Sequence, residues 1–159
     1  MLIGEALAEV KLLQSKLIRL QTMRQDLFKV LKGHEPEGYS YESLTSEINN
    51  VHSNINKLKV AIQRTNVSKK LQVKLPSGEK EMTIMEGILE ISRIRSELEQ
   101  YDYLVPTTAE AQYGREAIVE YFFPITQQER DEIIERLEAE KRCYDLALQG
   151  ANWTTELVG

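Results

Sequence analysis

The side chains best suited to chemistry in this chain form an acidic run near its C-terminal end. The run consists of Glu129, Asp131, Glu132, Glu135 and Glu138. Paired carboxylates bind divalent metals or act as general acid and base. In di-iron helical bundles such acids act together with Glu-x-x-His motifs from two helices, and this sequence contains no such motif. Because acids also stabilise the N-terminal end of a helix, a structural role is the favoured interpretation.

The histidines and the cysteine give no stronger indication of a reactive site. His34 and His52 are the only histidines, and Cys143 is the only cysteine. A zinc site needs three or four converging ligands, and these three residues lie far apart in the sequence. Cys143 also lacks the basic or helix-N-terminal surroundings of a reactive thiol. The sequence therefore predicts no catalytic residue, no metal and no cofactor.

A third group of polar residues lies where two predicted helices end. The group consists of Arg64, Thr65, Asn66, Asn152 and Trp153. One interpretation is a packed C-terminal cap, in which the single tryptophan anchors the end of the chain against the helices. The alternative is a small polar pocket between helix ends, and both interpretations remain open at this point.

The elements that must position these residues include a helix with a strict heptad pattern. Its apolar residues recur at alternating steps of four and three: Leu44, Ile48, Val51, Ile55, Leu58 and Ile62. This spacing keeps one apolar seam facing a neighbouring helix. We expect the seam to form either a contact between copies in a homo-oligomer or the adjoining core.

The remaining periodicity predicts a mainly α fold in a single domain of residues 1–159. Its main feature is a long antiparallel helical hairpin, a coiled-coil-like bundle, joined by two further helices and a small antiparallel β-sheet. The Thr-x-x-Glu patterns that start at Thr83 and Thr126 predict capping boxes. The predicted elements are a helix at 1–32, a helix at 40–66, a β-hairpin at 71–83, a helix at 84–104, a strand at 117–123 and a helix at 126–149.

Charge is distributed unevenly along the chain. The net charge is −5, which argues against nucleic acid as the main partner. Residues 57–80 contain seven bases and one acid, whereas residues 110–140 contain nine acids and three bases. These regions are either two solvated faces or complementary surfaces within a subunit or across an interface. With no secretory signal and no apolar run long enough for a membrane span, we expect a cytoplasmic protein.

Four short segments resemble the septicolysin-like family of small, mostly uncharacterised bacterial proteins. They are Glu5-Ala6-Leu7, Arg64-Thr65-Asn66, Ser77-Gly78 with Met82-Thr83, and Leu148-Gln149 with Asn152-Trp153-Thr154-Thr155-Glu156-Leu157. The resemblance spans nearly the whole chain, and the last segment is the most specific. At Ser92-Arg93-Ile94-Arg95 the chain lacks the Arg-Asp pair of the family pattern. The name of the family implies a pore-forming cytolysin. The resemblance implies no catalytic residue.

These observations favour a non-enzymatic, homo-oligomeric cytoplasmic protein that acts by assembly or interaction. Its expected partner is a second copy of itself through helical seams, and neither nucleic acid nor a membrane is an expected partner. The alternatives are a membrane-active cytolysin, as the resemblance implies, and a small-ligand-binding protein that uses the region of Arg64–Asn66 and Asn152–Trp153.

Overall fold

The computed structural model describes residues 1–30, 32–34, 37–106 and 121–158. Within these residues the protein is mainly helical, with one two-stranded antiparallel sheet, which confirms the predicted fold class. The elements are α1 (Ile3–Phe28), α2 (Tyr41–Ser68), β1 (Lys70–Leu75), β2 (Gly78–Thr83), α3 (Ile84–Tyr103) and α4 (Gln127–Thr154). The density of internal contacts divides the chain into two compact units.

Unit 1 comprises Met1–Lys69 and Gln149–Gly159, and its main feature is the hairpin of α1 and α2. Polar bonds fix the register of the two helices: Lys16 Nζ lies 2.7 Å from a Glu47 carboxylate oxygen. Arg24 interrupts the apolar stripe of α1, and its guanidinium donates to Thr45 Oγ1 at 3.3 Å. The same guanidinium lies 5.7 Å from the centre of the Tyr41 ring, a cation–π contact.

The core of unit 1 lies between the facing sides of α1 and α2. The buried apolar residues are Ala6, Val10, Leu20, Leu44, Ile48, Val51, Ile55 and Ile62. Leu13 and Leu17 of α1, Leu58 of α2 and Leu157 near the C-terminus are partly buried against them. This burial explains why two helices of low overall hydrophobicity pack stably, because each turns its apolar stripe toward the other.

Unit 2 comprises Lys70–Leu148 and begins with the β-hairpin. Leu71 pairs with Met82 across the two strands, and both are buried, as is Val73. Gly78 follows the turn with φ of +130°, a conformation that favours glycine. Gly87 of α3 lets the helix approach the sheet, because a Cβ there would lie 2.6 Å from Leu71 Cδ2.

Both predicted capping boxes are formed in unit 2. Thr83 Oγ1 accepts the Glu86 backbone N–H at 3.1 Å, and the Glu86 carboxylate accepts the Thr83 N–H at 2.6 Å. Thr126 and Glu129 make the same reciprocal pair at 3.1 and 2.7 Å. These bonds satisfy N–H groups that have no partner inside the helix and so fix where α3 and α4 begin.

Several element bounds differ from those predicted. The first helix ends at Phe28 rather than at residue 32, and α4 continues past Gly150 to Thr154. Of the predicted strand at 117–123, residues 117–120 lie outside the described part. Tyr121–Phe123 are exposed and not in a strand, so the strand prediction is wrong for these three residues. Their aromatic composition fits a strand only where a neighbouring strand pairs with it.

Candidate functional site

The C-terminal end of α2 carries the two buried polar residues that the sequence placed in a candidate pocket. Thr65 is fully buried and Asn66 is 5% exposed. Thr65 Oγ1 donates to the Ala61 carbonyl at 2.8 Å and accepts the Val158 backbone N–H at 3.0 Å. The Thr65 hydroxyl therefore joins α2 to the end of the chain and has little capacity left for a ligand.

Asn66 differs from its neighbour because its buried oxygen is unsatisfied. Among the described residues, no group donates a hydrogen bond to Asn66 Oδ1. An unpaired buried carbonyl is costly, typically by about 1–3 kcal/mol, and native proteins usually satisfy such atoms with a protein donor or an ordered water. Among the buried side-chain atoms of the described residues, Asn66 Oδ1 is thus the one left to accept a bond from a small donor.

Asn152 and Trp153 lie inside α4 rather than after it, and they pack against the start of α1. A Cβ on Gly4 would lie 3.0 Å from both the Asn152 carbonyl oxygen and Trp153 Cε3. A side chain at position 4 would push these neighbours away by a few tenths of an ångström, so glycine favours this close approach. Trp153 stays 59% exposed, so its ring covers Gly4 with one side and faces solvent with the other.

The segment after α4, which we call the tail (Thr155–Val158), connects these two places. The Ile3 N–H donates to the Thr155 carbonyl at 3.0 Å, and the Leu157 N–H donates to the Met1 carbonyl at 3.0 Å. Leu2 and Glu156 form an antiparallel bridge. Val158 then reaches Thr65. Thus four of the five predicted pocket residues adjoin the start or the end of the tail, whereas Arg64 is exposed on the outer face of α2.

The heptad seam faces α1 of the same chain. Leu44, Ile48, Val51, Ile55 and Ile62 are buried in the core of unit 1, and Leu58 is partly buried there. Of the two roles predicted for the seam, the structure assigns these residues to the core. Their apolar surfaces are therefore covered within one chain.

Three acids of the run, Glu129, Asp131 and Glu132, are engaged in local bonds near the start of α4. Asp131 and Glu132 accept from the side-chain amides of Gln127 and Gln128 at 2.8 and 3.0 Å. The backbone N–H of Thr126 lowers the pKa of Glu129, with a smaller contribution from the Thr126 hydroxyl. Within the described residues, no group of three or more His, Cys, Asp or Glu side chains could hold a metal ion.

Two surface features were not predicted as sites. The first, which we call the aromatic cluster, lines a groove of about 370 Å³ in unit 2 and continues into exposed aromatic residues beside it. Its members are Tyr101, Tyr103, Leu104, Val105, Pro106, Tyr121, Phe122, Phe123, Pro124 and Ile125. The three consecutive aromatic residues 121–123 are a signal for it, but the same composition also predicts a strand.

The second feature is a shallow groove of about 710 Å³ along the outer face of α2, which we call the α2 groove. The described residues that line it are Asn49, His52, Ser53, Asn56, Lys57, Val60, Ala61 and Arg64. They recur at helical spacing on the side of α2 away from the core seam. The cations in this groove belong to the basic region noted in the sequence.

Comparison with known proteins supports the fold and leaves the activity open. A crystal structure of a functionally unknown conserved protein from Corynebacterium diphtheriae superposes with a TM-score of 0.76 at 24% identity, over 99% of each chain. This likeness shows a shared fold. No curated protein matches the chain. Residues 11–157 match a family of unknown function, and with nearly the whole chain matched, this protein belongs to that family, DUF6847.

Proposed function

We propose that this protein is non-enzymatic and acts in the cytoplasm by associating with further copies of itself. The observation that carries the proposal is the aromatic cluster. Tyr103 is 85% exposed and Phe122 is 90% exposed, and Tyr121 beside them is also largely in solvent. Large exposed apolar patches on proteins commonly mark sites of protein–protein contact.

The composition of the aromatic cluster is typical of an interface core. Tyrosine and phenylalanine are enriched in such cores, and charged residues are depleted. The residues lining the groove are all apolar, aromatic or proline, with no charged side chain among those described. Because side chains such as Phe122 gain free energy when removed from water, a second copy that covers the cluster would be stabilised.

Light scattering on a sizing column, over about a hundredfold range of protein concentration, tests the proposal. We expect a mass above that of one chain, and we expect Phe122→Ser to lower it. The matched control is Leu89→Ser, which removes an exposed apolar side chain of α3 outside the cluster. A single-chain mass at every concentration, or a mass that Phe122→Ser leaves unchanged, would contradict the proposal.

A second candidate function is the binding of a small ligand at the end of α2. It is favoured by the buried, unpaired oxygen of Asn66. A ligand with an N–H or O–H group would satisfy this atom. Native mass spectrometry of protein purified without denaturation should then detect a bound mass that Asn66→Leu removes. A spectrum of bare protein would count against this candidate.

The septicolysin-like resemblance supports a third candidate, a membrane-active protein. None of the described helices is both long enough and apolar enough to cross a bilayer, so membrane activity would require insertion of amphipathic segments. Dye release from liposomes separates this candidate from self-association. Liposomes that retain their dye at micromolar protein would exclude it.

A further inference from the structure

The α2 groove carries two cations that are spaced by one heptad. Lys57 and Arg64 both line it, and Val60 lies between them with half of its surface exposed. Seven residues of α-helix correspond to about 10.5 Å, so the two cations lie on one face, two turns apart. None of the described residues lining the groove is acidic.

These cations are not neutralised by the described residues of unit 1. No described carboxylate of this unit forms an ion pair with Lys57 or Arg64, in contrast to Lys16 of α1, which pairs with Glu47 of α2. Both side chains are exposed. Their charges are therefore available to a partner.

A complementary arrangement occurs on α4. Asp131, Glu135 and Glu138 are exposed and follow one another at steps of four and three, so they share one face of the helix. Asp131 and Glu138 have the same seven-residue spacing as Lys57 and Arg64. Ile134, which is partly exposed, lies between these two acids, as Val60 lies between the two cations.

Of the cations of α4, Arg130 and Lys141 are engaged by other groups, whereas Arg136 and Arg142 are exposed and form no ion pair with the described residues. Arg130 directs its guanidinium to the Tyr101 carbonyl at 2.6 and 3.0 Å, with a longer contact of 3.4 Å to Asp131. Lys141 pairs with Asp145 at 2.6 Å. Among the described residues, Glu135 and Glu138 have no cationic partner within 4.0 Å.

We propose that the α2 groove of one copy binds the acidic face of α4 from a second copy, with Lys57 and Arg64 opposite Asp131 and Glu138. This inference rests on the proposed self-association and specifies a second, electrostatic contact beyond the aromatic cluster. The two surfaces differ, so each copy contributes a basic half and an acidic half to such contacts.

Charge reversal followed by mixing tests the contact. One variant carries Lys57→Glu and Arg64→Glu, and the other carries Asp131→Lys and Glu138→Lys. All four residues are exposed, so the helical circular dichroism should be unchanged. In each variant alone, like charges face each other across the contact. In a mixture of the two variants, opposite charges face each other again at both surfaces. The control, Lys11→Glu with Lys29→Glu, changes the net charge as the first variant does, at exposed sites outside the groove.

In low salt we expect each variant alone to need a roughly tenfold higher concentration than the wild type for the same mean mass. The mixture and the control should behave as the wild type, and high salt should remove the difference. Variants that associate as the wild type does, or a mixture that fails to recover, would overturn the inference. If one of these results is found while Phe122→Ser still lowers the mass of the wild type, only the proposed electrostatic contact is wrong. A wild type that stays a single chain overturns both proposals.

Discussion

Thr65 and Asn66 are adjacent and both buried, yet they serve the fold in different ways. Thr65 makes two hydrogen bonds, one within α2 and one to the tail, whereas the oxygen of Asn66 makes none among the described residues. Both were predicted from their position at a helix end. The sequence could not tell them apart, because the partner of Thr65 lies 93 residues away in the chain.

This difference predicts that two apolar substitutions change the free energy of unfolding by different amounts. Thr65→Val keeps the shape but leaves the Val158 N–H without an acceptor, so we expect it to lower the free energy of unfolding by about 1–3 kcal/mol. Asn66→Leu removes a carbonyl that has no partner, so its effect should be within about 1 kcal/mol of zero or stabilising. Urea denaturation of both variants measures the difference. An equal loss in both would show that Asn66 has a bonded partner in solution.

Among the elements, the heptad helix was the best predicted, because a long apolar period needs no knowledge of the partner. The same period cannot say whether the partner is another copy or another part of the chain, and here it is α1. The capping boxes at Thr83 and Thr126 were predictable because both halves of each box lie within four residues. The tail bridge to Leu2 has no local signal and was missed.

The core position of the seam predicts how its mutants depend on concentration. Ile55 is 4% exposed in the core of unit 1, so Ile55→Ala should cost about 2–5 kcal/mol of unfolding free energy. Val67 of the same helix is exposed, and Val67→Ala should change the value by at most about 0.5 kcal/mol. Thermal unfolding at several protein concentrations measures both effects. A loss for Ile55→Ala that grows on dilution would indicate a contact between copies instead.

The two capping boxes predict how stability depends on pH. The pKa of Glu86 lies below its ordinary value of 4.5, chiefly because its carboxylate accepts the Thr83 N–H, and Glu129 is lowered by Thr126 in the same way. A lowered carboxyl pKa gives stability that is complete above the unfolded pKa and is lost as the pH falls toward the folded pKa. Stability should therefore decrease below pH 4.5.

Urea denaturation at several values between pH 3 and pH 6 checks this dependence, because carboxylates titrate over roughly this range. The double variant Glu86→Gln with Glu129→Gln should lose less stability on acidification than the wild type, because glutamine does not titrate. Glu135→Gln is the control, since this exposed carboxylate accepts no hydrogen bond from the described residues. Curves of equal slope for the wild type and the double variant would contradict the prediction.

For the molecule as a whole, unit 1 depends on both ends of the sequence. The tail contributes the Thr155 carbonyl and the Leu157 and Val158 N–H groups to bonds with Ile3, Met1 and Thr65, and Leu157 also packs on the core. Deleting residues 155–159 should therefore lower the free energy of unfolding of unit 1, because it removes several hydrogen bonds that contribute about 1 kcal/mol each. Hydrogen exchange of the Ile3 amide should become faster, whereas Glu156→Ala, which keeps the main-chain bonds, should leave its protection nearly unchanged.

The bridge between Leu2 and Glu156 also has a consequence for biosynthesis. Unit 2 is one continuous stretch, Lys70–Leu148, whereas unit 1 needs residues from both sides of it. A ribosome adds residues in order, and continuous units can fold as they emerge. Unit 2 can therefore acquire its contacts during translation, but the first three residues wait for their partners until positions 155–158 have been added. The start of α1 is thus made before unit 2 and completed after it.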